Sequence, residues 1–441
     1  MSGAGEASTA KRTQPGASAA ITGIGVITGS GVGVGPFWTA LQGDRSPTRI
    51  ITRFDSSPFR SRIAVEVDDF QAERLMDASR ARRLDRFGQF SIGAARLALA
   101  DADLQPDFVE PNRVAVQLGS ALGGIAHAEE QVYRFHERGL RAVDPRLALA
   151  VFGGAASCNV AIEFGFTGPN CTNAMSCASG AIGVGEAWRL IREGVVDVAI
   201  AGGVEVPLAP LTYGAFANIR AMSTRNDDPE AACRPFDRDR DGFVMGEGAG
   251  ILVLESIEHA SARGARVYAT VEGYGRSSDA YHMTAPRPDA LQATRAIREA
   301  LQSARVEPGQ IDYVNAHASS TPLNDATETR AIQLALGPRA LQIPVSGTKP
   351  FYGHVLGASG AIEVAVCALA LRHGWVPPTL NLDEPEEGLA LDYVPHRGRP
   401  RPLQKVLTNS FGFGGVNASL VLACHGNEEE PAPNPTLRRN A

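Results

Sequence analysis

The chain has 441 residues, 44% of them hydrophobic, a formal charge of −6 and six cysteines. That apolar content supplies a large core, yet no run reaches the roughly 18 uninterrupted apolar residues of a membrane span. The acidic balance argues against general nucleic-acid binding, and cysteines this sparse, without a CxxC or a His/Cys ligand spacing, argue against a disulfide framework and a zinc site and fit a reducing cytoplasm.

The first twenty residues are rich in Gly, Ala and Ser and have no apolar h-region, so 1–19 reads as a disordered tail and not as a secretory signal. A strand is expected over Ala20–Ile27. Its Gly23-Ile24-Gly25 tract is no dinucleotide fingerprint, because the third glycine would fall at Thr28 and no helix opens there. Helices are expected around Phe37–Leu41 and over Arg83–Asp101, where Phe87, Phe90, Ala94 and Leu97 recur at helical spacing. Arg113–Leu118 reads as a strand. A β-like run, Asn170–Met175, precedes Cys177 and a helix carrying Ala187, Trp188, Leu190 and Ile191. Val195–Ala201 reads as a buried strand closed by Gly202-Gly203. Gly246–Gly250 leads into a strand over Ile251–Glu255.

The second half repeats this order. Val267–Tyr274 is expected as a strand, Ala290–Ala304 as a helix, and Ile311–Val314 as a strand ending at Asn315-Ala316-His317. Ile343–Ser346 precedes a loop with Lys349 and His354, and then a helix with Val364, Val366, Cys367, Leu369 and Leu371. Phe411–Gly415 leads into a last strand over Ala418–Ala423. Residues 425–441, with their glutamates and prolines, read as a second tail.

The pentapeptide Ala-Ser-Gly-Ala-Ile occurs twice, at Ala178–Ile182 and at Ala358–Ile362. Cys177 precedes the first copy and Gly357 the second. Residues 20–265 and 266–424 therefore read as related halves that bring two strand-to-helix turns together. Strands alternating with helices in both halves predict α/β layers with mostly parallel sheets.

Cys177 opens a predicted helix, where free backbone N–H groups and the positive dipole end favour a thiolate. Cys158, Cys171 and Cys367 read as structural. His317 and His354 each follow a strand of the second half. One thiol facing two imidazoles suits acyl transfer, with the cysteine as nucleophile and the histidines donating to a developing oxyanion or enolate. Lysine occurs only at 11, 349 and 405, against 42 lysines and arginines together. A lysine at 349 thus points to a compact ammonium with a specific task. Asp325 and Glu328 either charge a helix start or pair with Lys349. Arginines cluster at 80, 82, 83 and 86 and again at 220, 225, 234, 238 and 240. They form a solvated, salt-bridged surface or dock an acidic partner.

Asn173-Ala174-Met175-Ser176-Cys177-Ala178-Ser179-Gly180, Val314-Asn315-Ala316-His317, Ser346-Gly347-Thr348-Lys349 with Gly353-His354, and Asn409–Gly415 together resemble the β-ketoacyl-acyl carrier protein synthases, type II above all. The likeness runs in family order over about 20–423. It implies a thiolase-like fold, with duplicated halves in five αβαβα layers, a cytoplasmic homodimer, and no cofactor of its own, since phosphopantetheine arrives on the acyl carrier protein. No metal, nucleic acid or membrane is implied. Cys177 would take an acyl chain as a thioester. Malonyl-carrier protein would lose carbon dioxide, and its carbanion would attack to give a 3-oxoacyl chain two carbons longer. His317 and His354 would assist decarboxylation. The N–H groups of Cys177 and Phe413 would form the oxyanion hole, Phe413 would gate the pocket, and Leu122 would limit chain length. Lys349 would order the site through Glu328. Arg82, Arg83, Arg141 and Arg220 would touch the carrier protein. Ser176 stands where the family commonly has Ala, and Ala318-Ser319 where it has Gly-Thr, which leaves room for a polyketide or other specialised ketosynthase. A non-catalytic partner subunit would have lost Cys177, and a thiolase would need a second cysteine where Phe411 and Phe413 stand.

Overall fold

The structure, a computed structural model, describes residues 18–426, so the expected tails fall outside it save for their innermost residues. Strands β1 (Ala19–Thr28), β2 (Val114–Gly119), β3 (Asn170–Asn173), β4 (Val198–Glu205) and β5 (Gly248–Ser256) lie in the order β3-β2-β4-β5-β1. Strands β6 (Ala269–Ser278), β7 (Tyr313–Asn315), β8 (Val345–Ser346), β9 (Lys405–Gly412) and β10 (Val416–Ala423) lie in the order β8-β7-β9-β10-β6. The two orders are the same order. The directions match as well: β2 runs parallel to β3 and β4, and β4, β5 and β1 alternate, just as β7 runs parallel to β8 and β9 while β9, β10 and β6 alternate. Even the register shift recurs, between Ile21 and Gly23 in β1 and between Val271 and Gly273 in β6.

The starts of β1 and β6 pair antiparallel, Ala19 with Val271 and Ile21 with Ala269, and fuse the two half-sheets. The sheet is therefore mixed, which corrects the expectation of mostly parallel strands. Among the ten strands named, five neighbouring pairs are antiparallel and four are parallel. β9 and β10 are linked only by the turn Phe413–Gly415. A turn that short can only bring the chain back antiparallel.

Helices α1 (Val34–Leu41), α2 (Arg86–Asp101), α3 (Ile125–Arg138), α4 (Ala155–Phe164), α5 (Ser179–Arg192), α6 (Pro210–Asn218), α7 (Leu291–Ala304), α8 (Pro322–Leu336) and α9 (Ser359–His373) complete the layers. α2 starts later than its apolar spacing suggested because Asp85 caps it, accepting the Gly88 N–H at 3.0 Å. α2 and α4 cover the outer face of the first half-sheet, and α7 and α8 that of the second. α5 and α9 lie between the two. Every residue of α9 from Ser359 to Leu371 is buried. The stretch Leu356–His373 is long and apolar enough to cross a bilayer (mean hydropathy 1.3), but 89% of it lies inside the protein, so it is a core helix. Fully burying side chains such as Ile362 or Leu369 contributes about 1.5–3 kcal/mol each.

α5 and α9 touch through backbone. A Cβ on Gly180 would stand 2.9 Å from the Ala361 nitrogen, and one on Gly360 would stand 2.8 Å from Ala181 Cβ. The repeated pentapeptide is thus the contact between the halves: its glycines let the two helix starts meet. Gly202 and Gly203, read as closing a strand, lie inside β4, which continues to Glu205.

Candidate active site

Both pentapeptides enter their helices through one 3-10 turn, Ser176–Ala178 and Leu356–Ala358. The residue that opens each turn is left-handed, Ser176 at φ 52° and Leu356 at φ 38°. A non-glycine residue there costs on the order of 1–3 kcal/mol, so the surrounding packing enforces both turns. Cys177 sits at the first, 6% exposed, and lines a cavity of about 310 Å³ together with His317, His354, Phe216, Phe411 and Phe413. Phe413 stacks on Phe216 with ring centroids 6.4 Å apart.

His317 follows β7 in a loop whose Ala318 and Ser320 are also left-handed, at φ 42° and 66°. A glycine at 318 would carry no such strain. Glu328, on α8, holds this loop by accepting the N–H groups of His317 and Ala318, both at 2.8 Å, and the Asn409 amide at 3.2 Å. The His317 and His354 rings stand 5.3 Å apart and nearly perpendicular, at 81°.

Lys349 is wholly buried. Its ammonium pairs with Glu363 of α9, donates to the His317 carbonyl and lies 3.4 Å from His317 Nδ1. This corrects the expected Lys349–Glu328 pair, because Glu328 is occupied by backbone N–H groups and it is α9 that passes the ammonium. Asp325 likewise turns away from Lys349, accepting the Phe236 N–H at 2.9 Å and facing Arg240 at 3.5 Å. An ammonium only donates, so Nδ1 of His317 is the acceptor and the ring proton sits on Nε2. His354 Nδ1 lies 3.0 Å from the Ser359 hydroxyl. Burial first, and Lys349 second, push both imidazoles well below the usual histidine range, so both are neutral.

The resting sulfur is a thiol. Burial pushes its pKa up, and the Ser176 hydroxyl (3.7 Å away), the Phe413 N–H and Lys349 only partly oppose this. The expected thiolate at the helix start is overridden by desolvation. Burial also pushes Glu205, Glu328 and Glu363 up to about 7, against the donors that pull them down.

The expected docking arginines divide. Arg82, Arg83, Arg141 and Arg220 are exposed, and Arg220 lines the cavity that holds Cys177. Arg234 and Arg240 are buried, in pairs with Asp237, Asp383 and Glu386, and so belong to the framework. Arg80 and Arg86 pair with Glu163 and Glu247. They line a second cavity of about 690 Å³, away from Cys177, with Arg83 on its wall. Leu122 is half-buried against the apolar cluster that contains Cys177, Met222, Phe243 and Leu356. Among the described residues, no three His, Cys, Asp or Glu side chains gather as they would around a metal ion.

Residues 17–260 match the β-ketoacyl synthase N-terminal domain, and 268–383 match its C-terminal domain. The chain belongs to the β-ketoacyl synthase family. It is 44% identical over 401 residues to the 3-oxoacyl-[acyl-carrier-protein] synthase 2 of Synechocystis, covering 91% of this chain and 96% of that one. It is 42% identical over 409 residues to the ketoacyl synthase alpha subunit of the tetracenomycin polyketide synthase of Streptomyces glaucescens, covering 91% and 96%. Among solved structures it resembles the ishigamide ketosynthase/chain length factor (TM-score 0.87, 37% identity, 93% of this chain and 100% of that one). It also resembles a type II polyketide synthase acyl-carrier protein in complex with its ketosynthase (TM-score 0.86, 33% identity, 93% and 100%). The fold is the thiolase-like fold of these ketosynthases, and the chain is a condensing enzyme of the acyltransferase class. Such synthases use no cofactor of their own; the phosphopantetheine belongs to the carrier protein.

Glu363, Glu205 and Ser359 were not singled out from the sequence. Glu363 had a signal: it is the one charge in α9 before Arg372. A lone charge in so apolar a helix needs a buried partner.

Proposed function

We propose that this β-ketoacyl synthase joins malonyl-carrier protein to an acyl chain held on Cys177. The observation that carries this is the single cavity lined by the Cys177 sulfur and by both imidazoles. Cys177 attacks the acyl-carrier thioester as its thiolate, the C–S bond to the carrier breaks, and the proton given up by Cys177 ends on the departing carrier sulfur, which leaves as a thiol. Malonyl-carrier protein then loses carbon dioxide, and the electron pair of the broken C–C bond forms an enolate that the Nε2–H groups of His317 and His354 stabilise. The enolate carbon attacks the Cys177 thioester, the N–H groups of Cys177 and Phe413 take the oxyanion, and its collapse expels the cysteine sulfur. The product is a 3-oxoacyl chain two carbons longer. Lys349 holds His317 in the required tautomer, and Glu328 fixes the backbone under that ring. Phe413 gates the cavity, and Leu122 bounds the acyl passage.

Arg82, Arg83, Arg141 and Arg220 dock the acidic carrier, supported by their exposure. The working unit is a homodimer. Strand β3 is an open sheet edge, and the neighbouring segments expose Tyr133, Phe135, Phe152 and Ile162, so a second copy that continues the sheet would cover both. A carrier-dependent enzyme of this kind works in the cytoplasm, where carriers are loaded. The halves divide at about residue 265. Fatty acid elongation is the first assignment. The comparable identity to a polyketide ketosynthase supports polyketide or specialised lipid synthesis as the second. Intact mass after incubation with acyl-carrier protein tests the chemistry: the wild type gains the acyl mass and Cys177→Ala does not. A covalent adduct on the alanine variant would refute the assignment.

A further inference from the structure

Gly357 holds the place in the second turn that Cys177 holds in the first, and a side chain is excluded there. A Cβ on Gly357 would stand 2.4 Å from the Ala121 nitrogen and 2.6 Å from Glu205 Oε2. Glu205 ends β4, and its counterpart at the end of β9 is Gly412. The two strand ends exchange turns. Gly412 lies against the first turn, where an added Cβ would be 3.0 Å from the Cys177 nitrogen. Glu205 lies against the second, with Oε2 accepting the Gly357 N–H at 3.0 Å. The N–H equivalent to the one proposed for the thioester oxygen is therefore filled by the protein's own carboxylate.

Three further donors converge on Glu205. The Ala121 N–H reaches Oε2 at 2.6 Å, and the Leu122 N–H and the Ser120 hydroxyl reach Oε1, each at 3.1 Å. Ser120 Oγ in turn accepts the Gly123 N–H at 2.9 Å. One wholly buried side chain thus ties the Ser120–Gly123 turn to the Leu356–Ala358 turn. Leu122 on the first turn and Leu356 on the second pack in the same apolar cluster as Cys177.

We propose that Glu205 is the positioning residue of the acyl passage: its carboxylate occupies the anion nest of the cysteine-less turn and so fixes Leu122 and Leu356 on either side of the route to Cys177. This rests on the proposed function only in taking that cluster as the path of the acyl chain. Without the carboxylate, three buried N–H groups lose their acceptor, and each such loss favours a rearranged turn. Glutamine keeps the shape but sets an NH2 group against at least one of these donors. The turn that carries Leu122 then loosens, and the far end of the passage with it. A short acyl chain stops before reaching it, whereas a long chain does not.

The test compares wild type, Glu205→Gln and Glu205→Ala in two measurements. Hydrogen exchange reads the turns directly: exchange should quicken at 120–123 and 355–358 in both variants and stay unchanged around 315–320. Acylation of Cys177, followed by intact mass with a ladder of acyl-carrier primers, should stay within about threefold for short chains and change at least about tenfold for long ones. Unchanged exchange at both turns, or an equal loss at every primer length, overturns the proposal. Should Glu205→Ala fail to fold, Glu205→Gln decides by the same criteria. A wild type that accepts no primer would remove the proposed function, while the exchange comparison would still judge Glu205.

Discussion

The ammonium of Lys349 is neutralised by Glu363, across a separation of 14 residues, and the same ammonium reaches both the carbonyl and the Nδ1 of His317. The pair is wholly buried on both sides. Removing one member of such a pair leaves an uncompensated charge, at a cost of about 3–5 kcal/mol. Glu363→Ala should therefore lower the urea midpoint far more than an exposed Glu→Ala control such as Glu387→Ala. Glu328→Ala should release the His317 loop while leaving the ion pair, so it is expected to lose acyl transfer with a smaller loss of stability.

The protonated state of Cys177 has a kinetic signature. Alkylation by iodoacetamide requires the thiolate. Because burial raises the thiol, the rate should still be climbing at pH values where a free thiol such as glutathione has levelled off. A plateau at or below the glutathione curve would show that the helix start and Lys349 outweigh desolvation.

Stability should fall as pH rises from about 4.5 to about 7. Glu205 and Glu328 have folded values of about 7 against an ordinary 4.5, so the folded state binds their protons more tightly in that window and folding opposes ionisation above it. A tenfold difference in proton affinity is worth about 1.4 kcal/mol, so each carboxylate contributes on the order of a few kcal/mol. Glu205→Gln should flatten the slope of the urea midpoint between about pH 5 and about pH 8. An unaltered slope would mean that Glu205 does not titrate there.

Leu122 borders the cluster around Cys177, so a larger side chain should shorten the passage. Leu122→Phe is expected to reduce the longest primer accepted while leaving short-primer acylation within about threefold. A product distribution identical to that of the wild type would reject this role.

Much of this site is written in the chain. The doubled pentapeptide marks both turns and, through Gly180 and Gly360, the contact between the halves. The strand-then-helix order gives the repeat. Lys349 stood out because the chain otherwise uses arginine almost everywhere. Its partner did not, because two acidic residues on α8 lay closer in sequence to His317 than Glu363 did, and only packing decides which helix passes the ammonium. Strand direction is not legible in the order of elements, because alternation of strands and helices records chain order and not which strands become neighbours: β4 and β5 run antiparallel although α6 lies between them in the chain. The thiol's protonation was misread because dipole and hydrogen-bond effects can be placed from sequence, whereas the extent of burial cannot.

The glycine contact between α5 and α9 has an evolutionary corollary. Cys177 and His354 precede helices that meet main chain to main chain, and His317 is held to them by Lys349 and Glu328, so the spacing of sulfur and imidazoles depends on those few groups and little on the more distant walls. On the proposed reading, changes at Leu122, Phe216 and the surface arginines would redirect the enzyme toward other primers or carriers while the bond-forming step stays constant. One scaffold can thereby diverge into housekeeping lipid synthesis and into secondary metabolism without reinventing its reaction.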